Sequence, residues 1–140
     1  MIFEIKGKPQ GKARARTFYD NRIGKMRSVT PEKTRSYEEL IRWSYEAAGG
    51  AYGGADKPFG VAIVANYSVP KSWSQKKKKQ ALNGYIVPQV KPDCDNIVKA
   101  VLDALNGVAY ADDKQVVFVK CTKQYSESAS LKVNVGPIND

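Results

Sequence analysis

Residues 2–6, IFEIK, alternate apolar and polar positions, the period of a half-buried strand. Residues 7–28 lose all helical period and carry glycine, proline and many lysines and arginines, which predicts a mobile basic loop or a hairpin. A helix start follows, with Thr30 as N-cap, Pro31 at the first helical position and Glu32 in the first turn. Tyr37, Leu40, Ile41, Trp43, Ser44, Ala47 and Ala48 recur at helical spacing until Gly49-Gly50, and Trp43 is expected in the core with them. Residues 49–58 read as a Gly/Ala-rich turn region, and residues 60–68, GVAIVANYS, as a strand rich in β-branched and aromatic side chains.

After Pro70, the segment KSWSQKKKKQALNG predicts a short helix ending at Gly84. Its lysines, Lys76 to Lys79, point to all sides of a helix, as a solvated face does; contact with phosphates is the second reading. Ile97, Val98, Val101, Leu102 and Leu105 form one apolar helical stripe, capped by Asp95 or Asn96 and stopped by Gly107. Val116, Phe118, Lys120 and Thr122 alternate with Val117, Val119 and Cys121 in a further strand, and residues 130–135, SLKVNV, make the last. No repeat or linker interrupts the chain. The order predicts an α+β fold over residues 1–140: one domain, with a mixed or antiparallel sheet and helices mainly on one face.

Composition narrows the chemistry. With 140 residues and 42% hydrophobic, the chain can build one core. The longest apolar run, Val61–Ala65, is strand-sized, and MIFEIKGK lacks a signal-peptide core. A cytoplasmic protein is expected, with Cys94 and Cys121 as reduced thiols. The absence of histidine removes Ser-His-Asp and Cys-His catalysis and disfavours zinc. Carboxylates, lysine, tyrosine, a thiol or a metal remain. A net charge of +9 calls for a polyanion, either nucleic acid or an anionic membrane, unless it serves solubility alone.

Among only 14 acids, Asp93, Asp95, Asp112 and Asp113 fall in two short segments. The first pair flanks a helix entry and the second precedes a strand, so the intervening helix could bring them together. Converging carboxylates repel unless a cation offsets them, and all-oxygen ligands suit Mg²⁺ or Mn²⁺. Such a site activates water against a phosphodiester. Lys99, four residues after Asp95, projects from the same helical face and could stabilise developing charge or protonate the leaving oxygen. The plainer reading makes Asp95 a cap, Asp112-Asp113 an acidic turn and Asp95–Lys99 a surface ion pair.

The run KPDCDNIVKAVLDALNGVAYADDKQV resembles the signature of the RusA family of Holliday-junction resolvases. The matching positions are Asp93, Asp95-Asn96, Ile97, Lys99, Asp103-Ala104-Leu105, Gly107, Asp112-Asp113 and Gln115-Val116. The resemblance implies a homodimer that nicks four-way DNA junctions symmetrically with Mg²⁺. It implies metal-binding roles for Asp93, Asp95 and Asp113, with Asp112 beside them, and a catalytic role for Lys99. Asp103 is read as structural, in an ion pair. The Lys76–Lys79 run lies outside the signature and bears on which branched DNA is preferred. Lys12, Arg14, Arg16 and Arg22, with Lys76 and Lys77, are expected to hold phosphates, and Phe18 and Tyr19 to stack on unpaired bases. The rival readings are a general flap or fork nuclease and a non-catalytic DNA-binding protein.

Overall fold

A computed structural model describes residues 1–13, 16–29 and 32–138. Arg14, Thr30 and Pro31, including the expected N-cap and first helical position, lie outside the described residues, as does the Arg16 side chain. The elements are β1 (Ile2–Lys6), β2 (Arg16–Asp20), β3 (Lys25–Val29), α1 (Glu32–Ala47), β4 (Phe59–Ser68), α2 (Gln75–Leu82), α3 (Cys94–Leu105), β5 (Val116–Ser126) and β6 (Ser130–Pro137). A 3₁₀ turn, Asp113–Gln115, leads into β5.

The main sheet runs β1-β6-β4-β5. β6 pairs antiparallel with both β1 and β4, whereas β5 lies parallel to β4. The sheet is therefore mixed, and the fold is α+β as the element order predicted. A parallel pair cannot be closed by a hairpin and needs a long crossover. The segment holding α2 and α3 supplies it, and α3 packs along β5 on its way.

The strand period decides which face is covered. On β4, Phe59, Val61, Ile63, Ala65 and Tyr67 alternate inward and are buried. They join Leu131, Val133 and Val135 of β6 and Phe3 and Ile5 of β1. Tyr37, Ile41 and Tyr45 of α1 and Ile97, Val101, Ala104 and Leu105 of α3 cover this face. The far face stays open, with Ile2 70% and Phe118 53% exposed. Its buried polar centre is internally satisfied. Asn66 donates to Ser130 Oγ at 3.0 Å and accepts from Gln124 at 2.8 Å.

One expectation is corrected. Trp43 is 67% exposed and Leu40 41%, so neither belongs to the core. The buried stripe of α1 is Thr34, Tyr37, Ile41 and Tyr45, and Trp43, two residues from Ile41, falls on the opposite side of the helix. Of the two readings of the basic segment, the hairpin holds for its second half, with β2 and β3 antiparallel as a separate two-stranded sheet. Its turn closes on Asp20, 5% exposed, which accepts from the Arg22 amide at 2.9 Å and from Nη1 of Arg27 at 3.3 Å. Hydrogen bonding from Arg22 holds the Asp20 carboxyl below its ordinary value. Phe18 and Tyr19 are 43% and 58% exposed on this hairpin.

Leu105→Ala, at a position 0% exposed, should lower stability by about 2–5 kcal/mol in denaturant unfolding. The Asp20 cluster makes a second expectation. A depressed carboxyl contributes stability in full above the unfolded-state pKa and loses it as pH falls through the folded one. An NMR titration should place the Asp20 midpoint below 3.8, and Asp20→Asn should destabilise the hairpin at neutral pH but not in strong acid.

Candidate active site

Helix α3 starts at an aspartate. Asp93 is its N-cap, with Oδ1 accepting from the Asn96 amide at 3.2 Å. The cap is thus Asp93, not Asp95 or Asn96, and Asp95 falls in the first turn. From there Asp95, Lys99 and Asp103 follow at four-residue intervals and so lie along one helical face. That face lines an open cavity of about 450 Å³, shared with Asp113, Val119, Val98 and Leu102.

The turn before β5 brings Asp113 to the cavity. Asp112 caps the 3₁₀ turn by accepting from the Lys114 amide at 2.9 Å. Gln115 fixes the same turn from both sides. Its Oε1 accepts from the amides of Ala111 (2.9 Å) and Asp112 (3.0 Å), and its Nε2 donates to Gly54 O (3.0 Å) and Lys57 O (2.9 Å). Half-buried Asp113 is left lining the cavity. Tyr110 packs beneath, fully buried, donating to Leu102 O at 2.9 Å. Its pKa is raised by burial first, and then by the negative field of Asp113, Asp103 and Asp112.

Expected convergence is therefore met only in part. Asp95 and Asp113 line one cavity, together with Asp103. Asp93 and Asp112 each direct an oxygen to a backbone amide as caps. Among the described residues no group of three or more acids or cysteines is close enough to form a ready-made metal cage. Amide donors at a helix start and a turn give two of the carboxylates separate partners.

Asp103 was expected to be structural, and it does make ion pairs. Its Oδ2 lies 3.5 Å from Lys99 Nζ and 3.4 Å from Lys12 Nζ. Sequence reasoning missed that it also lines the cavity; the signal was its four-residue spacing from Lys99. The partner of Lys99 is Asp103, and no ion pair to Asp95 forms among the described residues. Lys12, expected at phosphates, instead has its ammonium between Asp103 and Glu38, while its backbone amide donates to Asn96 O at 3.0 Å. Arg22 extends from the hairpin, and Lys76 and Lys77 are exposed on α2. Lys77 Nζ sits 4.1 Å from the ring centre of half-buried Trp73.

The Cys121 thiol offers no nucleophile. Burial first, then hydrogen bonding with Cys94, pushes the Cys121 thiol to about 12. Cys94 Sγ donates to Cys121 O at 3.8 Å. A thiol so held carries almost no thiolate at neutral pH. Carboxylates and one lysine are what the cavity has to work with.

The sequence profile of the family described as "Endodeoxyribonuclease RusA" matches residues 6–136. The chain belongs to the RusA endodeoxyribonuclease family. It is also 33% identical over 142 residues to the uncharacterized protein YqaN of Bacillus subtilis (strain 168), covering 98% of this chain and 96% of that one. The RusA match includes the hairpin and α1 as well as the acidic segments. Among the described residues no helix is long and apolar enough to cross a membrane.

Several positions of the RusA signature acquire a mechanical role here. Asp93 starts the helix, Leu105 seats it in the core, Asp103 holds Lys99, and Gln115 ties down the Asp112-Asp113 turn. Gln115→Ala leaves two amides and two carbonyls to find other partners. It should cost about 1–3 kcal/mol in denaturant unfolding.

Proposed function

We propose that the protein resolves four-way DNA junctions by paired, Mg²⁺-dependent phosphodiester hydrolysis. The observation that carries this reading is that Asp95, Lys99 and Asp113, from two separate segments, line one open cavity. Family membership supplies the reaction class, endodeoxyribonuclease. A net charge of +9 suits a DNA ligand.

The donor set fits a hard divalent cation. All candidate ligands are carboxylate oxygens and the chain has no histidine, so Mg²⁺ is favoured, with Mn²⁺ as its substitute. Asp95 and Asp113 would hold the ion. Asp93, whose cap engages only Oδ1, and Asp112 complete the proposed set. When bound, the ion supplies activation of water and neutralisation of phosphate charge. Lys99, kept beside the cavity by Asp103, stabilises charge on the phosphate or hands a proton to the leaving oxygen.

Lys12, Arg14, Arg16 and Arg22 of the N-terminal basic sequence, with Lys76 and Lys77, hold backbone phosphates without reading sequence. Two copies of the chain, each with one cavity, would make the paired incisions of a homodimer acting in the cytoplasm.

The test is a labelled four-way junction, a flap and a linear duplex incubated with Mg²⁺ or with EDTA. Symmetric nicks confined to the junction and lost in EDTA are expected. Asp95→Asn and Asp113→Asn should abolish cutting, and Lys99→Met should slow it about 10²–10³-fold while junction binding persists. Equal cutting of flap and junction would favour a general branched-DNA nuclease. Tight binding with no product in Mg²⁺ would leave a non-catalytic DNA-binding protein.

A further inference from the structure

Two cavities away from the acids meet along one line. The first, about 520 Å³, is walled by Lys8, Lys33 and Lys91 around Pro9, Gln10 and Pro92. The second, about 340 Å³, shares Lys8 and Lys91 and continues past Tyr67, Pro70 and Tyr125. Among the described residues no carboxylate lines either one. Ion pairs engage Lys12, Lys99 and Lys132, but among the described residues none engages Lys8, Lys33 or Lys91. Three exposed lysines around one cavity make a local positive patch that favours an anion.

The walls are of two kinds. One stretch is cationic and the next is aromatic. Half-buried Tyr125 meets Trp73 edge-on at 5.3 Å, and Trp73 carries the Lys77 ammonium on its ring. Buried Tyr67 donates to Pro92 O at 3.2 Å and so braces the residue directly before Asp93. The groove therefore leads toward the start of α3.

We propose that this groove seats a single unpaired DNA strand, with phosphates at Lys8, Lys33 and Lys91 and a base against Tyr125. The identity of the ligand rests on the nuclease reading; the groove itself does not. Each cavity is of the size of a nucleotide. Lysines that follow the backbone, next to an aromatic platform for bases, are the chemistry by which proteins hold single strands without sequence preference. Such a strand exists wherever a junction or fork is partly unpaired.

The test is binding of a labelled oligothymidylate to the full chain in EDTA, by fluorescence anisotropy across a salt series. The combined variant Lys8→Ala/Lys33→Ala/Lys91→Ala should weaken binding and flatten the slope of log K against log salt by about 2, at roughly 0.7 for each phosphate that a lysine no longer neutralises. The charge-matched variant Lys6→Ala/Lys120→Ala/Lys132→Ala, on the far face of the sheet, should leave the slope unchanged. Tyr125→Ala should weaken binding roughly fivefold to hundredfold, while Tyr125→Phe, which keeps the ring, should bind as wild type does. Thermal melting checks that each variant is folded.

Equal slopes for the two lysine variants, or equal losses for Tyr125→Ala and Tyr125→Phe, would overturn the proposal. Junction cutting is scored separately. Groove-dependent binding without any cutting would overturn the nuclease reading and leave this one standing. Normal cutting with an unchanged slope would overturn this one alone.

Discussion

The parallel pairing of β4 with β5 is the constraint on which the rest of the molecule depends. Strands that run the same way cannot be joined by a tight turn, so the chain must travel back before β5 begins. It does so through α3, which lies along β5 with its apolar stripe buried. Asp95, Lys99 and Asp103 are thereby laid down the exposed side of that helix, and the turn that ends the crossover delivers Asp113 to the same cavity. The site is a consequence of the return path, and the buried stripe of α3 sets which side chains face it.

Charge is sorted around this frame in two ways. Near the cavity, cations and acids are interleaved: Asp103 binds both Lys99 and Lys12, and Lys12 reaches Glu38 of α1. These links tie the N-terminal segment, α1 and α3 together, and they hold a lysine beside acids that a metal would join. Among the described residues the lysines of α2 and those around the cleft of Lys8, Lys33 and Lys91 make no ion pair. The first arrangement suits chemistry at a phosphate; the second suits holding the strand that carries it.

Much of this was legible in the sequence. The strand and helix periods located the main-sheet strands and the helices, and the acidic segments marked the cavity. The misses have physical causes. Trp43 was misplaced because a large aromatic near an apolar stripe looks like part of it, although Tyr45 and Ile41 already fill the core-facing side. The hairpin could be read only as an alternative to a loop because its strands are too basic to show an apolar alternation; its turn closes on Asp20, an acid holding arginines. The cap of α3 was placed too late because Asp93, Asp95 and Asn96 are all competent N-caps, and only backbone geometry chooses among them. Parallel pairing of β4 and β5 and the basic groove depend on contacts between distant segments, which no local pattern encodes.

The central claim is that Asp95 and Asp113 hold a divalent ion in the cavity beside Lys99. Crystals grown with Mn²⁺ and measured for its anomalous scattering test it most directly. The account predicts a peak in the cavity, bound by oxygens of Asp95 and Asp113 and lost in Asp95→Asn. Well-ordered crystals with Mn²⁺ present but no peak there, or with the ion bound by other residues alone, would contradict it.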